Sequence, residues 1–307
     1  MNFTLRQLQL FEAVARHSSY TRAAAELHLT QPAVSTQVKQ LEAMVGTPLF
    51  EHMGRKIFLT KAGREMYEFS RNIAQKFTDI GVVLDEMKGV RRGALNISIA
   101  STAKYFAPYL LAAFCREHPG ITVSLDVTNR EALLRQLSEN IPDMAIMGAP
   151  PDGLDLVAES FMLNPLVVIA PPNHVLAGIE HISLERLLRE SFIVRERGSG
   201  TRNAVERFLE QRKLSMTTTM EMSRNEAIKH AVMAGLGLGI VSVHTLEMEL
   251  TLKRLVVLNV EGFPIVKDWF LVHRRSKRFS AAAAAFKDFV LQESSRIIKI
   301  PQAEVDA

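Results

Sequence analysis

The stretch Ala23–Glu42, AAAELHLTQPAVSTQVKQLE, decides how the chain begins. Val34, Val38, Leu41 and, just beyond it, Val45 recur at spacings of 4, 3 and 4, which predicts a helix with one buried face. The opposite face carries Gln31, Pro32, Ser35, Thr36 and Lys39. Thr30 suits the N-cap and Pro32 the first turn, where a missing N–H costs nothing. Ahead of this helix, Ala23, Ala24 and Ala25 belong to a short helix over roughly 20–27, whose small side chains let a neighbour approach closely. The turn between the two is HLT; many such turns carry Gly where His28 stands, and His tolerates a left-handed backbone well. Leu5, Leu8, Phe11, Val14 and Ala15 mark a first helix, and Ser18 and Ser19 offer capping oxygens after it. The result is two helices joined by a tight turn, the second presenting an amide, two hydroxyls and a cation. Those groups bond base edges and phosphates in a major groove. A solvated helix face uses the same residue types, and the helix–turn–helix spacing decides for DNA.

The segment PLFEHMGRKIFLT reads as a β-hairpin around Met53–Gly54. Arg55 and Lys56 sit at its tip, within reach of a phosphate or the minor groove; an exposed basic turn accounts equally well for Lys56. After Thr60 as N-cap, the chain to about Lys88 reads as one helix, roughly 42 Å long at 1.5 Å per residue. Met66, Phe69, Ile73, Phe77, Ile80 and Leu84 form an apolar seam along it, and an isolated helix with such a seam needs a partner.

Taken in order, LRQLQLFEAVARHSSYTRAAAELHLTQPAVSTQVKQLE, LF and GRKIFLTKAG resemble the DNA-binding domain of LysR-type transcriptional regulators. The resemblance implies a winged helix–turn–helix over 1–60 and a linker helix over 61–90 that pairs with the same helix of a second subunit. An Arg is frequent in that family where His52 stands, so the phosphate contact that the resemblance implies there does not carry over by residue type. The resemblance further implies two dimers on a long interrupted palindrome of double-stranded DNA, DNA bending, and effector-dependent relaxation of the bend that brings RNA polymerase into contact.

From Gly93 the pattern changes to alternating strands and helices. ALNISIAST, ITVSLDVT, DMAIMG, PLVVIAPP, SFIVRER, TTTMEMSR, GIVSV and KDWFLVHRR read as strands with helical segments between them, so the fold class is α/β with a mainly parallel, doubly wound sheet. Crossings near Asn164 and Pro264 predict two subdomains, 91–163 with 266–300 and 164–265, and a flexible tail over 301–307. The resemblance implies the same: an effector domain over 91–300 shaped like a periplasmic solute-binding protein. In open α/β sheets ligands lie beyond the carboxyl ends of strands, where helix N-termini offer free N–H groups. Ser101, Thr102, Thr128, Asn129 and Gly148 follow strands of the first subdomain, and Ser199, Gly200, Thr201 and Arg202 follow a strand of the second. These are the candidate effector residues, suited to an anion; Arg202 fits an interdomain salt bridge equally well. GLGLGI, Gly235–Ile240, runs from helix into strand, the reverse of a dinucleotide loop, and reads as close helix–strand packing.

Composition narrows the function. At 307 residues, 47% hydrophobic and 23% charged, the chain is long enough for two or three ordinary globular domains. One cysteine, Cys115, allows no internal disulfide or CxxC site and points to a reducing cytoplasm. The first helix is amphipathic, with Arg6 and Glu12 inside it, and lacks a signal-peptide pattern, and VMAGLGLGIVSV is too short and too glycine-rich to span a bilayer. Residues 1–92 hold 13 Lys and Arg against 9 Asp and Glu, the whole of the net +4, while the remainder is neutral. That confinement to the segment containing the helix–turn–helix favours nucleic acid there. The nine His lack metal spacing and no nucleophile–base motif occurs, so neither an enzyme nor a metal or other cofactor is expected. A solute-binding or transport protein is the rival reading; it leaves the Gln31–Lys39 face without a use. The segments STAKYFAPYLLAAFCREHPGITVSLDVTNREALLRQLSENIPDMAIMGAPP and VAESFMLNPLVVIAPPNHVLA are similar to the branch of the LysR family that regulates the RuBisCO and Calvin-cycle operon. Paralogues controlling other central-carbon genes share that kind of sequence.

Overall fold

Thr4 opens the first helix with a capping box, its hydroxyl accepting from the Gln7 N–H while Gln7 Oε1 accepts from the Thr4 N–H. In the computed structural model, which describes residues 3–54, 56–87 and 93–301, that helix is α1 (Leu5–His17). It stops at Ser18, which takes φ 47°, and Ser19 then caps α2 (Tyr20–Glu26) by accepting from the Arg22 N–H. His28 has φ 55°, so the left-handed turn is present without glycine. Thr30 has the extended N-cap backbone of α3 (Gln31–Val45), yet its side chain makes no capping bond. Pro32 in the first turn fixes the start instead.

Val34, Val38 and Leu41 are buried with Phe11, Val14, Ala23 and Ala24, as the spacing predicts, and Val45 lies half-buried at the margin. In α1 the inner face is wider than one stripe. Leu10 and Ala13 are buried, whereas Leu5 is exposed and Ala15 half-buried, because α1 packs against α2, α3 and the helix after the hairpin at once. The hairpin is β1 (Phe50–Met53) with β2 (Lys56–Leu59), pairing Phe50 with Leu59 and Met53 with Lys56. Glu42 Oε1 accepts from the N–H groups of Leu49 at 2.7 Å and Phe50 at 3.1 Å, fixing the hairpin to α3. Thr60 caps α4 (Lys61–Met87), accepting from Gly63 N–H at 2.9 Å and donating to the Pro48 carbonyl at 2.8 Å. Gly63 lies so close to the Leu49 carbonyl that a Cβ there would stand 2.0 Å from its oxygen.

The chain divides into two compact units, Met1–Gly89 and Val90–Ala307. The second runs β3 (Gly93–Ala100), α5 (Ala107–Glu117), β4 (Ile121–Thr128), α6 (Arg130–Ser138), β5 (Met144–Met147), β6 (Leu156–Ala170), α7 (Leu184–Leu187), β7 (Ser191–Arg195), α8 (Gly200–Glu210), β8 (Thr217–Met222), α9 (Asn225–Met233), β9 (Leu238–Ser242), α10 (Glu247–Thr251), β10 (Val256–Val257), β11 (Ile265–Arg274) and α11 (Ala281–Ile297). All its strands join one nine-stranded sheet in the order β4-β3-β5-β11-β6-β9-β7-β8, with β10 on β6. Pairing is parallel among β4, β3 and β5 and again among β8, β7 and β9. Between these halves β6 and β11 form an antiparallel ribbon from Leu156 opposite Arg274 to Leu166 opposite Ile265. The sheet is therefore mixed, not mainly parallel: two strands that cross between halves in opposite directions must pair antiparallel. PLVVIA is only the second half of β6. Its first half, with Glu159 and Ser160, is half-exposed and breaks the apolar run that would have announced it.

Each half has its own core, one around Phe106, Phe114, Trp269 and Phe286, the other around Leu166, Phe192, Val205 and Leu238. The GLGLGI segment joins α9 to β9 by close packing, since a Cβ on Gly239 would meet Ile228, Val232 and Ile169 side chains at 3.1–3.2 Å. In the first unit the contact at Gly63 is with backbone, which cannot swing away. Gly63→Ala is expected to destabilise that unit by about 2–3 kcal/mol, measured as an earlier first transition in urea; an unchanged midpoint would mean that α4 can shift without loss.

Candidate functional site

Two regions carry polar groups that their own unit leaves available. On α3, Gln31, Pro32, Thr36 and Lys39 are exposed and Ser35 is half-buried. Among the described residues, no hydrogen bond or ion pair occupies the side chains of Gln31, Ser35, Thr36 or Lys39. Val34 and Val38, fully buried on the far side, fix the rotation of the helix that presents them. Arg55 lies outside the described residues, as do the side chains of Lys56, Ile80 and Leu84. Along α4, Phe69 and Phe77 are exposed and Ile73 half-buried, whereas Met66, also half-buried, packs on the core of its own unit.

The second region is a cavity of about 250 Å³ at the carboxyl ends of β3, β5 and β7, floored by the β6/β11 ribbon. Ser101, Thr102 and Gly148 line it from one half, and Ser199, Gly200 and Thr201 from the other. Ser199 holds the N-cap position of α8 but makes no capping bond, so the first-turn N–H groups from Gly200 onward have no intrahelical partner. A register shift between Trp269 and Phe270 bends β11 where both residues reach the cavity wall. The Trp269 Nε1–H is buried and has no hydrogen-bond partner among the described residues.

Three expected residues have other work. The Thr128 carbonyl accepts from the Ser101 N–H at 2.9 Å, and the Asn129 side chain caps α6 by accepting from Ala132 N–H at 2.8 Å; neither lines the cavity. Arg202 is neither a cavity residue nor an interdomain bridge. Its guanidinium donates to Glu206 at 2.7 Å, to Glu221 and to the Arg195 carbonyl at 3.0 Å, all within its own half, and the Glu206 and Glu221 contacts hold its pKa above the usual arginine value.

The residue that joins the halves is Arg195, at the end of β7 and 5% exposed. Its Nε and Nη2 donate to the two Glu196 oxygens at 2.7 and 2.9 Å, and Nη1 donates to Asn225 Oδ1 at 3.0 Å. Longer bonds of 3.4 and 3.5 Å cross to the hydroxyls of Thr102 and Ser101, and Asn225 Nδ2 donates to Thr102 at 3.1 Å. Beside this junction Lys104 and Glu226 pair across the halves at 2.5 Å. Sequence reasoning missed Arg195 although the signal was there: a charge closing the apolar run SFIV at a strand end. It also missed Arg130, which lines the cavity immediately after the capping Asn129.

Arg195→Gln is expected to cost about 2–3 kcal/mol, because Thr102 and Asn225 would keep buried groups without their partner. Lys104→Ala, which breaks a pair in contact with water, should cost only about 0–1 kcal/mol. Urea midpoints at constant slope decide; equal small losses would deny Arg195 its role at the junction.

The sequence matches two family models, one described as the bacterial regulatory helix-turn-helix protein, lysR family, over residues 5–64, the other as the LysR substrate binding domain over residues 88–295. A RuBisCO operon transcriptional regulator of Allochromatium vinosum is 56% identical over 297 residues, covering 97% of this chain and 98% of the relative. The HTH-type transcriptional activator CmpR of Synechocystis is 44% identical over 296 residues, covering 96% and 97%. Among solved structures, the Synechocystis CcmR regulatory domain in complex with 2-PG is 38% identical with a TM-score of 0.64, covering 67% of this chain and 99% of that domain. Full-length CbnR complexed with its target DNA is 21% identical, covers 94% and 99%, and has a TM-score of 0.67, a likeness of fold.

Proposed function

The chain belongs to the LysR family of transcriptional regulators, and from that premise we propose that it activates carbon-fixation genes in response to a small anionic metabolite bound in the cavity between the halves of its second unit. The observation that carries the reading is the convergence there of the Ser101 and Thr201 hydroxyls, the open N-terminus of α8 and the cation Arg130. Backbone N–H groups at a helix start with hydroxyls and guanidinium groups are the donors a carboxylate or phosphate takes. The ligand held by the CcmR domain makes 2-PG the first metabolite to try. The names of the Allochromatium and Synechocystis relatives support the carbon-fixation target.

DNA is read by α3, with Gln31, Ser35, Thr36 and Lys39 reaching bases and phosphates and the hairpin tip adding a backbone contact. The seam of α4 from Phe69 onward pairs with a second copy; the exposure of Phe69 and Phe77 supports this, since two large aromatic side chains on one helix face are costly to leave in water. A dimer sets two half-sites, and two dimers set the long palindrome. The protein works on DNA in the cytoplasm as a regulator rather than an enzyme or a transport protein, a reading supported by the LysR family models and by the regulators among its relatives; no described helix is long and apolar enough to cross a membrane.

A gel shift against the chain's own upstream region tests the DNA reading. Gln31→Ala and Ser35→Ala should each weaken operator binding by about 1–3 kcal/mol and leave random DNA unaffected. Equal losses on both DNAs would remove base reading from this face.

The effector reading is tested by DNase I footprinting with 2-PG, other phosphorylated sugars and small carboxylates. The footprint should shorten with a ligand that, at 100 times its dissociation constant, also stabilises the protein by about 2.7 kcal/mol. Ser101→Ala and Thr201→Val should raise the concentration needed by roughly tenfold each, the loss of one hydrogen bond to an anion. Thr102→Val is a poorer probe, because the Thr102 oxygen already accepts from Arg195 and Asn225. No shift with any of these anions would end the reading.

A further inference from the structure

Arg130 breaks three rules at once. It is the first residue of α6, and a cation in the first turn opposes the helix dipole, which favours an acid there. It is half-buried, and that burial pushes its pKa below the usual arginine value. Among the described residues no carboxylate pairs with it; its one hydrogen bond runs from Nη2 to the Ala149 carbonyl at 2.7 Å. Across the cavity stands the uncapped N-terminus of α8, itself a positive end, and Arg130 Nη1 comes within 3.9 Å of where a Cβ on Gly200 would stand. Like signs from the two halves thus face one another.

The other charges of the cavity do not offset this. Arg195 is neutralised by both oxygens of Glu196. Asp268, the other acid of the wall, sits on β11 beside Lys267 and makes no ion pair with Arg130. Arg207 and Lys267 are exposed, where water screens them.

We propose that Arg130 is the specificity-determining residue of the effector site: its guanidinium takes two oxygens of a compact phosphate- or carboxylate-bearing anion whose other side is bonded by the first-turn N–H groups of α8, so that the anion bridges the two halves. The proposal rests on the reading of the cavity as the effector site. Each half supplies a positive group that repels its counterpart, and an anion between them turns that repulsion into two attractions. Binding is then coupled to the approach of α6 and α8, while a neutral molecule of the same size gains neither term. The guanidinium fork matters as well as the charge, since it meets two oxygens of one group in a plane and an ammonium does not.

Calorimetry and thermal melting of the full chain with 2-PG and, separately, inorganic phosphate test this, using R130Q, R130K and R135Q; Arg135 is exposed on the same helix and controls for net charge. R130Q should weaken 2-PG by about 30-fold and R130K by about tenfold, while R135Q stays within about twofold, the size of losing a charge-assisted bond pair. The unliganded melting temperature of R130Q should equal or exceed that of the parent chain, because a half-buried cation with no ion pair among the described residues has been removed from the positive end of a helix. A structural arginine would do the reverse, so a lower melting temperature in R130Q overturns the proposal. Parent-like 2-PG affinity in R130Q overturns it too while leaving the cavity as effector site. Failure of the parent chain to bind either probe overturns both.

Discussion

A guanidinium buried at the end of β7 has to be satisfied on every side, and the second unit is arranged around that demand. Arg195 offers five N–H donors at a place water scarcely reaches. Glu196 meets the charge from the same strand end, Asn225 from the start of α9, and Thr102 and Ser101 from the other half. The two strongest contacts are local and the two longest cross between halves. The junction is therefore firm within one half and extensible toward the other, the property expected of a place where two packed bodies meet and move.

What makes such movement cheap is the ribbon beneath. Strands β6 and β11 pass between the halves as a continuous antiparallel pair, so a change of angle bends two strands and leaves both cores intact. A ligand acts on that angle only through different affinity for its two settings. Contacts from both halves are thus the necessary condition for a response, and the cavity has them: Ser101 and Arg130 on one side, Thr201 and the α8 N-terminus on the other. A molecule held by one half alone would bind without signalling.

Much of this was legible in the sequence where local chemistry sufficed. The 4, 3, 4 spacing of Val34, Val38, Leu41 and Val45 set the rotation of α3, and the glycine-free turn at His28 followed from its tolerance of positive φ. The strand-end rule found Ser101, Thr102, Gly148 and the Ser199–Thr201 turn. It failed at Thr128 and Asn129 because position after a strand says nothing about side-chain direction, and Asn129 turns back to cap its own helix. It failed at Arg202 because a residue two places into a helix has rotated away from its N-terminus, here toward Glu206 and Glu221. Arg195 escaped because the partners that make it a junction, Asn225, Thr102 and Ser101, lie 30 to 94 residues away, and Arg130 because its one hydrogen bond goes to a backbone carbonyl that no side-chain pattern announces. The missing half of β6 has a different origin: from Leu156 to Leu163 the strand pairs with β11 alone and its side chains are half-buried or exposed, so no apolar run marks it.

Charge is used differently by the two units. Over residues 1–92, the first unit and the few residues after it, excess Lys and Arg act together, and their number sets a general attraction to phosphate that salt weakens. The remainder of the chain is neutral in sum, so an anion gains nothing from its distant field. Selection there depends on where single charges are left without partners. Glu196 cancels Arg195, and Glu206 with Glu221 cancels Arg202, which leaves Arg130 as the half-buried cation of the cavity without an ion pair among the described residues. Two arginines quenched and one left open distinguish charges spent on the scaffold from a charge the site has to offer.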